Sequence, residues 1–211
     1  MVISTHFVWL GGLLMEGVIL VRSIQCKSLA KYSLFYAYIV SLLAKSLSFL
    51  VAYMATPTLF LRLYWPLASI SSVLGCGVIL EIIRHMFVGQ VSLGRLARRG
   101  AAIVFGMIFL EVSILAILLR WNPALYQAHL ETDLSLAQAV GLMSIIALTG
   151  HYSIEVGKNI KGVIVGFGVY LGASLISMPL RVFFGGQFSP AWRVIQISAY
   201  LTALVIWAVS L

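Results

Sequence analysis

The hydrophobic positions of this chain fall in long blocks, separated by short stretches that carry the charges, several glycines and the turn-forming residues. The blocks lie at roughly 3–23, 32–54, 59–86, 101–120, 135–153, 160–184 and 191–211. The hydrocarbon core of a bilayer takes about 20 apolar residues as a helix. Each block therefore predicts a spanning helix, and the third, the longest, should tilt or protrude. Seven such helices would use about two thirds of the chain and leave only short loops. The expected fold is all-α and integral to the membrane: one domain, 1–211, built as a bundle of seven transmembrane helices.

The loop charges set an orientation. Arg22, Lys27, Lys31, Arg84, Arg95, Arg98, Arg99, Lys158 and Lys161 lie in the loops after the first, third and fifth spans, while Arg62, Arg120, Arg181 and Arg193 lie on the other side. Lys and Arg concentrate on the cytoplasmic side. The N-terminus is thus expected outside and the C-terminus in the cytoplasm of a multi-pass protein of the cell inner membrane. Trp65, Trp121 and Trp192 sit at predicted outer ends, where amphipathic rings favour the interface. The start of the chain, Met1 to Thr5, has no basic region of the kind a secretory signal carries, and reads as a retained first helix.

Composition agrees and narrows the classes. Hydrophobic residues make up 62% of the 211 and charged residues 9%, with a mean hydropathy of +1.06. A soluble domain carries about 25% charged residues. The net charge of +8 comes from loop Lys and Arg beside apolar spans. That is a pattern of topology signals and lipid contacts, and it argues against nucleic-acid binding. The two cysteines, Cys26 in a loop and Cys76 deep in the third span, are not placed for a disulfide.

The 88–100 stretch carries Gly89, Gly94 and Gly100 with Arg95, Arg98 and Arg99, and reads as a glycine-broken cytoplasmic loop. It suits anionic headgroups, or docking of a cytoplasmic or membrane protein partner. Trp121 to Leu134, with the turn signal Asn122-Pro123, reads as the longest outer loop. In the sixth span Gly162 and Gly166, then Gly168 and Gly172, stand at i, i+4, the spacing that lets helix backbones approach closely.

Charge within an apolar span is costly and marks a candidate site. Glu16, Lys45 and Glu111 fall in predicted spans. At about 1.5 Å per residue, Lys45 and Glu111 each lie roughly 13 Å from the outer end of their spans, and Glu16 lies several ångströms deeper. A lysine stem bridges that difference, so Lys45 is expected to pair with Glu111, with Glu16, or with both. Tyr38, Ser41, Lys45 and Ser48 share one helix face, which should point inward. The cluster is either an ion pair that fixes helix arrangement or a pocket for a proton or small ligand. At the cytoplasmic ends, Glu81 with His85 and His151 with Glu155 are at i, i+4. Four such ligands converging would suit a metal, and the two histidines a haem. The competing reading is interfacial residues in contact with water and headgroups.

Enzyme signatures are missing: no His-Glu-x-x-His, Gly-x-Ser-x-Gly, P-loop or paired intramembrane aspartates. The last span has no lysine for a retinal-type Schiff base. Seven helices in this length also fit the three-plus-one-plus-three plan of small sugar transporters, but there is no Pro-Gln motif, and Pro57, Pro66, Pro123, Pro179 and Pro190 do not recur at matching positions. Three stretches resemble a group of uncharacterised bacterial seven-helix proteins. They are Tyr64-Trp65 followed by the run from Ile79 to Ile83, then Ile164 to Tyr170, and Tyr200 to Trp207. That resemblance implies the helix count and brings no functional residues with it. The expected function is a non-enzymatic membrane component, a sensory or signal-relay bundle or an accessory subunit. The alternative is a small-solute or proton transporter using Glu16, Lys45 and Glu111. A third is a metal- or haem-binding oxidoreductase component resting on His85 and His151.

Overall fold

The computed structural model describes residues 2–26, 28–54, 57–87, 91–118, 123–154, 156–184 and 189–211, with side chains described over most of these. Within them the chain is all-helical, in seven α-helices: α1 Val2–Gln25, α2 Ser33–Met54, α3 Pro57–Met86, α4 Val91–Leu118, α5 Pro123–His151, α6 Lys158–Phe184 and α7 Ser189–Ser210. Three apolar stretches among the described residues are long enough to cross a membrane: Pro66–Met86, Thr132–His151 and Lys158–Ser177. Ser33–Ser48 and Val194–Ser210 are shorter apolar helices.

Two helices begin earlier than the hydrophobic pattern predicts. Much of the expected 88–100 loop is the first turns of α4, so Arg95, Arg98 and Arg99 are exposed on a helix, not in a glycine-broken loop. The reason lies in Gly94. A Cβ there would fall 2.8 Å from the Phe87 Cβ, so this glycine admits a close approach to Phe87 within a continuing helix and does not end it. Likewise Pro123 opens α5, and the expected outer loop from Trp121 to Leu134 is helical from that residue on. Proline is favoured in the first turn, where its missing N–H goes unneeded. The side chains of His129 and Glu131 in this stretch lie outside the described residues.

The chain forms two compact units, Met1–Lys27 with Glu155–Leu211, and Ser28–Ile154. In the first, α7 packs against both α6 and α1. Its core holds Ile19, Phe167, Leu171, Ala203, Leu204 and Trp207, all nearly or wholly inaccessible. In the second, α3 is central and packs against α2, α4 and α5, while α4 also packs on α5. Phe35, Tyr36, Ile39, Ile79, Leu134 and Ile145 fill its interior.

Candidate functional site

The α1–α6–α7 unit is drawn tight by two glycines. A Cβ on Gly162 would lie 2.1 Å from the Ser210 Cβ, and one on Gly166 would lie 2.2 Å from the Trp207 indole nitrogen. Real Cβ atoms do not approach so closely, so only glycine lets α6 meet α7 here. The same contact lets Trp207 Nε1 donate to the Val163 carbonyl at 3.3 Å, while its ring lies 5.2 Å from that of Phe167. Gly172 is different: among the described residues, nothing stands within 4 Å of its would-be Cβ. Gly168 is half-buried.

Further along the same interface the facing positions become polar. Ser174 Oγ donates to Gln196 Oε1 at 3.1 Å, and Gln196 Nε2 donates to Ser177 Oγ at 2.8 Å. One turn on from Gln196, Tyr200 lies edge-on to Tyr170, with ring centres 6.2 Å apart. The Tyr200 hydroxyl donates to Oε1 of Glu16. Glu16 is fully buried, at 0% exposure. A buried carboxylate is tolerated only where donors replace the water it has lost. Tyr200 is one such donor. Arg22, one turn and a half further along α1, donates to the Ala208 carbonyl at the end of α7. Helix C-termini present unpaired carbonyls, and a guanidinium there also meets the negative end of the helix dipole. This lengthwise polar seam of Glu16, Tyr200, Tyr170, Gln196, Ser174 and Ser177 is the leading candidate site. Of its members only Glu16 stood out in the sequence. The i, i+4 spacing of Gln196 and Tyr200 against Tyr170 and Ser174 is the signal that could have found the rest.

The other expected cluster members lie in the second unit. Lys45 on α2 is half-buried. Glu111 on α4 is exposed, so it is not part of a buried cluster. Among the described residues α2 and α4 do not pack against each other, because α3 lies against both. The α2 face does point inward at Tyr38 and Ser41, both buried. Ser41 Oγ donates to the Tyr38 carbonyl at 2.7 Å and meets Ser71 Oγ of α3 at 3.1 Å. Ser48 is half-buried and donates to the Ala44 carbonyl of its own helix at 2.7 Å.

Glu81 and His85 have structural partners. Glu81 Oε2 accepts from the Phe35 N–H at 2.9 Å, and Oε1 from the Leu34 N–H at 3.2 Å and Ser33 Oγ at 3.4 Å. The first N–H groups of a helix have no partner within it and carry its positive end. Glu81, buried on α3, supplies that partner to α2 from a separate helix. His85 Nε2 lies 2.8 Å from the Lys31 carbonyl, with its ring edge-on to Tyr32 at 5.1 Å. A carbonyl only accepts, so Nε2 carries a proton, and that nitrogen is not offered to a metal or haem iron. His151 is exposed, its ring edge-on to that of Tyr152 at 4.9 Å. Glu155 lies outside the described residues. Among the described residues no three His, Cys, Asp or Glu side chains gather as a metal site would require.

The second unit also contains a groove of about 570 Å³ between the end of α3, α4 and α5. Aliphatic and aromatic side chains line it, with the carboxylates of Glu111 and Asp133 among them. Gln138 closes the neighbouring α3–α5 contact. Its amide nitrogen donates to the Ser72 carbonyl at 2.9 Å and to Cys76 Sγ at 3.4 Å. Both cysteines are free thiols.

Comparison of the chain with protein-family models, with curated proteins and with solved structures gives no match.

Proposed function

We propose that the chain is a non-enzymatic polytopic protein of the cell inner membrane, with seven spans, its N-terminus outside and its C-terminus cytoplasmic. It serves as a relay bundle or accessory subunit, and its working group is Glu16. The observation that carries this reading is the complete burial of the Glu16 carboxylate against the Tyr200 hydroxyl, within a seam of polar side chains joining α1, α6 and α7. A carboxylate held inside apolar helices responds to small changes around it, because burial and hydrogen bonding both act on its charge. Glu16 on α1 reaches α7 through Tyr200, and Tyr200 in turn meets Tyr170 of α6, so a change at Glu16 passes to both neighbours through one side chain. The exposed Arg95, Arg98 and Arg99 offer a basic face for anionic headgroups or an acidic partner.

A second reading, a proton or small-solute transporter, draws on the same burial, since intramembrane carboxylates mark such pathways. Purification from native membranes with mass spectrometry of bound proteins and solutes, alongside uptake assays in vesicles, separates the two. A stoichiometric partner protein that is lost from Glu16→Gln or Tyr200→Phe supports the relay. Solute uptake that depends on Glu16 supports transport. Partner retention and uptake both unchanged in Glu16→Gln would sink Glu16 as the working group.

A further inference from the structure

The groove in the α2–α5 unit has a shape and a charge that the polar seam does not explain. On α4 its wall is formed by Ala97, Ala101, Val104, Phe105, Ile108 and Glu111. These fall at i, i+4, i+7, i+8, i+11 and i+14, one unbroken face of a helix. On α5 the wall runs from Asp133 to Leu148. Fifteen helical rises between these two residues make this about 22 Å long. The chain leaves α4 at Leu118 and begins α5 at Pro123, and the two helices pack together, so they run antiparallel. Glu111, seven residues before the end of α4, and Asp133, ten after the start of α5, therefore lie toward the same end. Ile83 of α3 and Phe87 just beyond it also line the groove, with Ala97 and Leu148 at the opposite end. Small residues carve the hollow: Ala97, Ala101 and Ala137 present little side chain where leucines would fill it.

We propose that this groove binds a cationic amphiphile, its hydrocarbon chain along α4 and α5 and its ammonium at Glu111 and Asp133. The volume falls within the range of small-molecule sites, which bury apolar surface and use a few placed polar groups for orientation. The length suits an extended chain better than a compact solute. Charge complementarity selects the head. Among the described residues of the lining, the two ionisable side chains are both acidic, and none is Lys, Arg or His. A phosphate-bearing head would be repelled at that end, whereas an ammonium is attracted to the two carboxylates. The site is distinct from Glu16 and stands or falls independently of the function proposed above.

The test is photolabelling of the intact chain in phosphatidylcholine nanodiscs, using a hexadecyltrimethylammonium probe with a diazirine in its tail. The expected result is saturable labelling of α4 and α5 peptides, competed by unlabelled hexadecyltrimethylammonium and not by hexadecyl sulfate. Glu111→Gln with Asp133→Asn should weaken it about tenfold or more, the scale of losing a charge-assisted contact. Ala137→Phe, which fills the hollow, should abolish it. Glu111→Lys with Asp133→Lys serves as the control for folding. If it elutes as the parent does, its preference should invert toward hexadecyl sulfate. Equal labelling by a matching phosphatidylglycerol probe would identify an ordinary lipid groove and overturn the proposal. So would cation labelling indifferent to both carboxylates in variants that elute normally.

Discussion

The two helical units draw on the same two means of packing in different proportion. In α1–α6–α7, helices come together by subtraction. Gly162 and Gly166 give up their side chains, and Ser210 and Trp207 occupy the space. In α2–α5, polar side chains reach across to a neighbour's backbone, and one of them, Gln138, does so over the space left by Gly75. Glu81 holds the first N–H groups of α2, His85 the Lys31 carbonyl, and Gln138 the Ser72 carbonyl. The first means brings the α6 and α7 backbones close. The second ties α3 to the start of α2 and to α5 through single side chains. Where water is scarce, every backbone polar group needs a protein partner, and Glu81 meets that need for the first N–H groups of α2. Small residues and interhelical hydrogen bonds are the two means by which apolar helices associate.

This contrast is most exposed to failure at Gly166. An alanine there must displace the Trp207 indole and with it the Nε1 bond to the Val163 carbonyl. The expected loss is about 3 kcal/mol, the upper end for overpacking a filled site. Thermal unfolding in nanodiscs measures it, and Trp207→Leu in the same chain should recover part of it. If Gly166→Ala melts with the parent, close approach does not hold α6 to α7. Next in size is Glu81→Ala, which strips the charged acceptor from the start of α2. About 2 to 3 kcal/mol should be lost, as for hydrogen bonds to a charged group. Hydrogen exchange at the Leu34 and Phe35 amides should speed up first. Exchange unchanged there would mean that Glu81 does not cap α2. A pair of tyrosines then compares the units directly. Tyr200→Phe removes a hydroxyl from a buried carboxylate and should cost about 2 kcal/mol, while Tyr36→Phe removes one from the Ser28 hydroxyl and should cost about 1 kcal/mol. Chemical denaturation of both variants gives the order, and the reverse order would count against Glu16 as a group held by Tyr200.

Much of this was legible in the sequence where one helix is enough to decide. Block length predicts helices that overlap all seven observed ones, and the Gly162–Gly166 spacing marks a face on which a neighbour can close. Partnership across helices was not legible. Depth arithmetic matched Lys45 to Glu111, yet depth says nothing of which helices are neighbours, and α3 packs against both α2 and α4. Glu81 and His85 share a face, as the i, i+4 spacing requires, but their partners are backbone groups at the start of α2, which no side-chain pattern announces. The start of α4 was misread for a related reason. Gly94 looks like a break until Phe87 is seen beside it. Of the polar seam, Glu16 was visible because a charge in an apolar run stands out, whereas tyrosine, serine and glutamine in spans do not.

The smallest expected effect separates a glycine that packs from one that does not, on one helix. Gly166 and Gly172 stand six residues apart on α6, and sequence spacing alone treats both as packing positions. Only Gly166 meets a neighbour. Around the would-be Cβ of Gly172, no described atom lies within 4 Å. An alanine there adds a methyl group without a clash and removes the conformational freedom that glycine has before folding. Glycine within a helix is less favourable than alanine by roughly 0.5 to 1 kcal/mol. Gly172→Ala should therefore stabilise the chain by about that amount, opposite in sign to Gly166→Ala and several times smaller. Parallel melts of the two variants in the same nanodiscs make the comparison internal, since lipid and reference state are shared. A loss at Gly172 comparable to that at Gly166 would show that a second helix face, or a second copy of the chain, closes on Gly172 in the membrane. The subtraction principle would then extend along the whole of α6 instead of stopping where the polar seam begins.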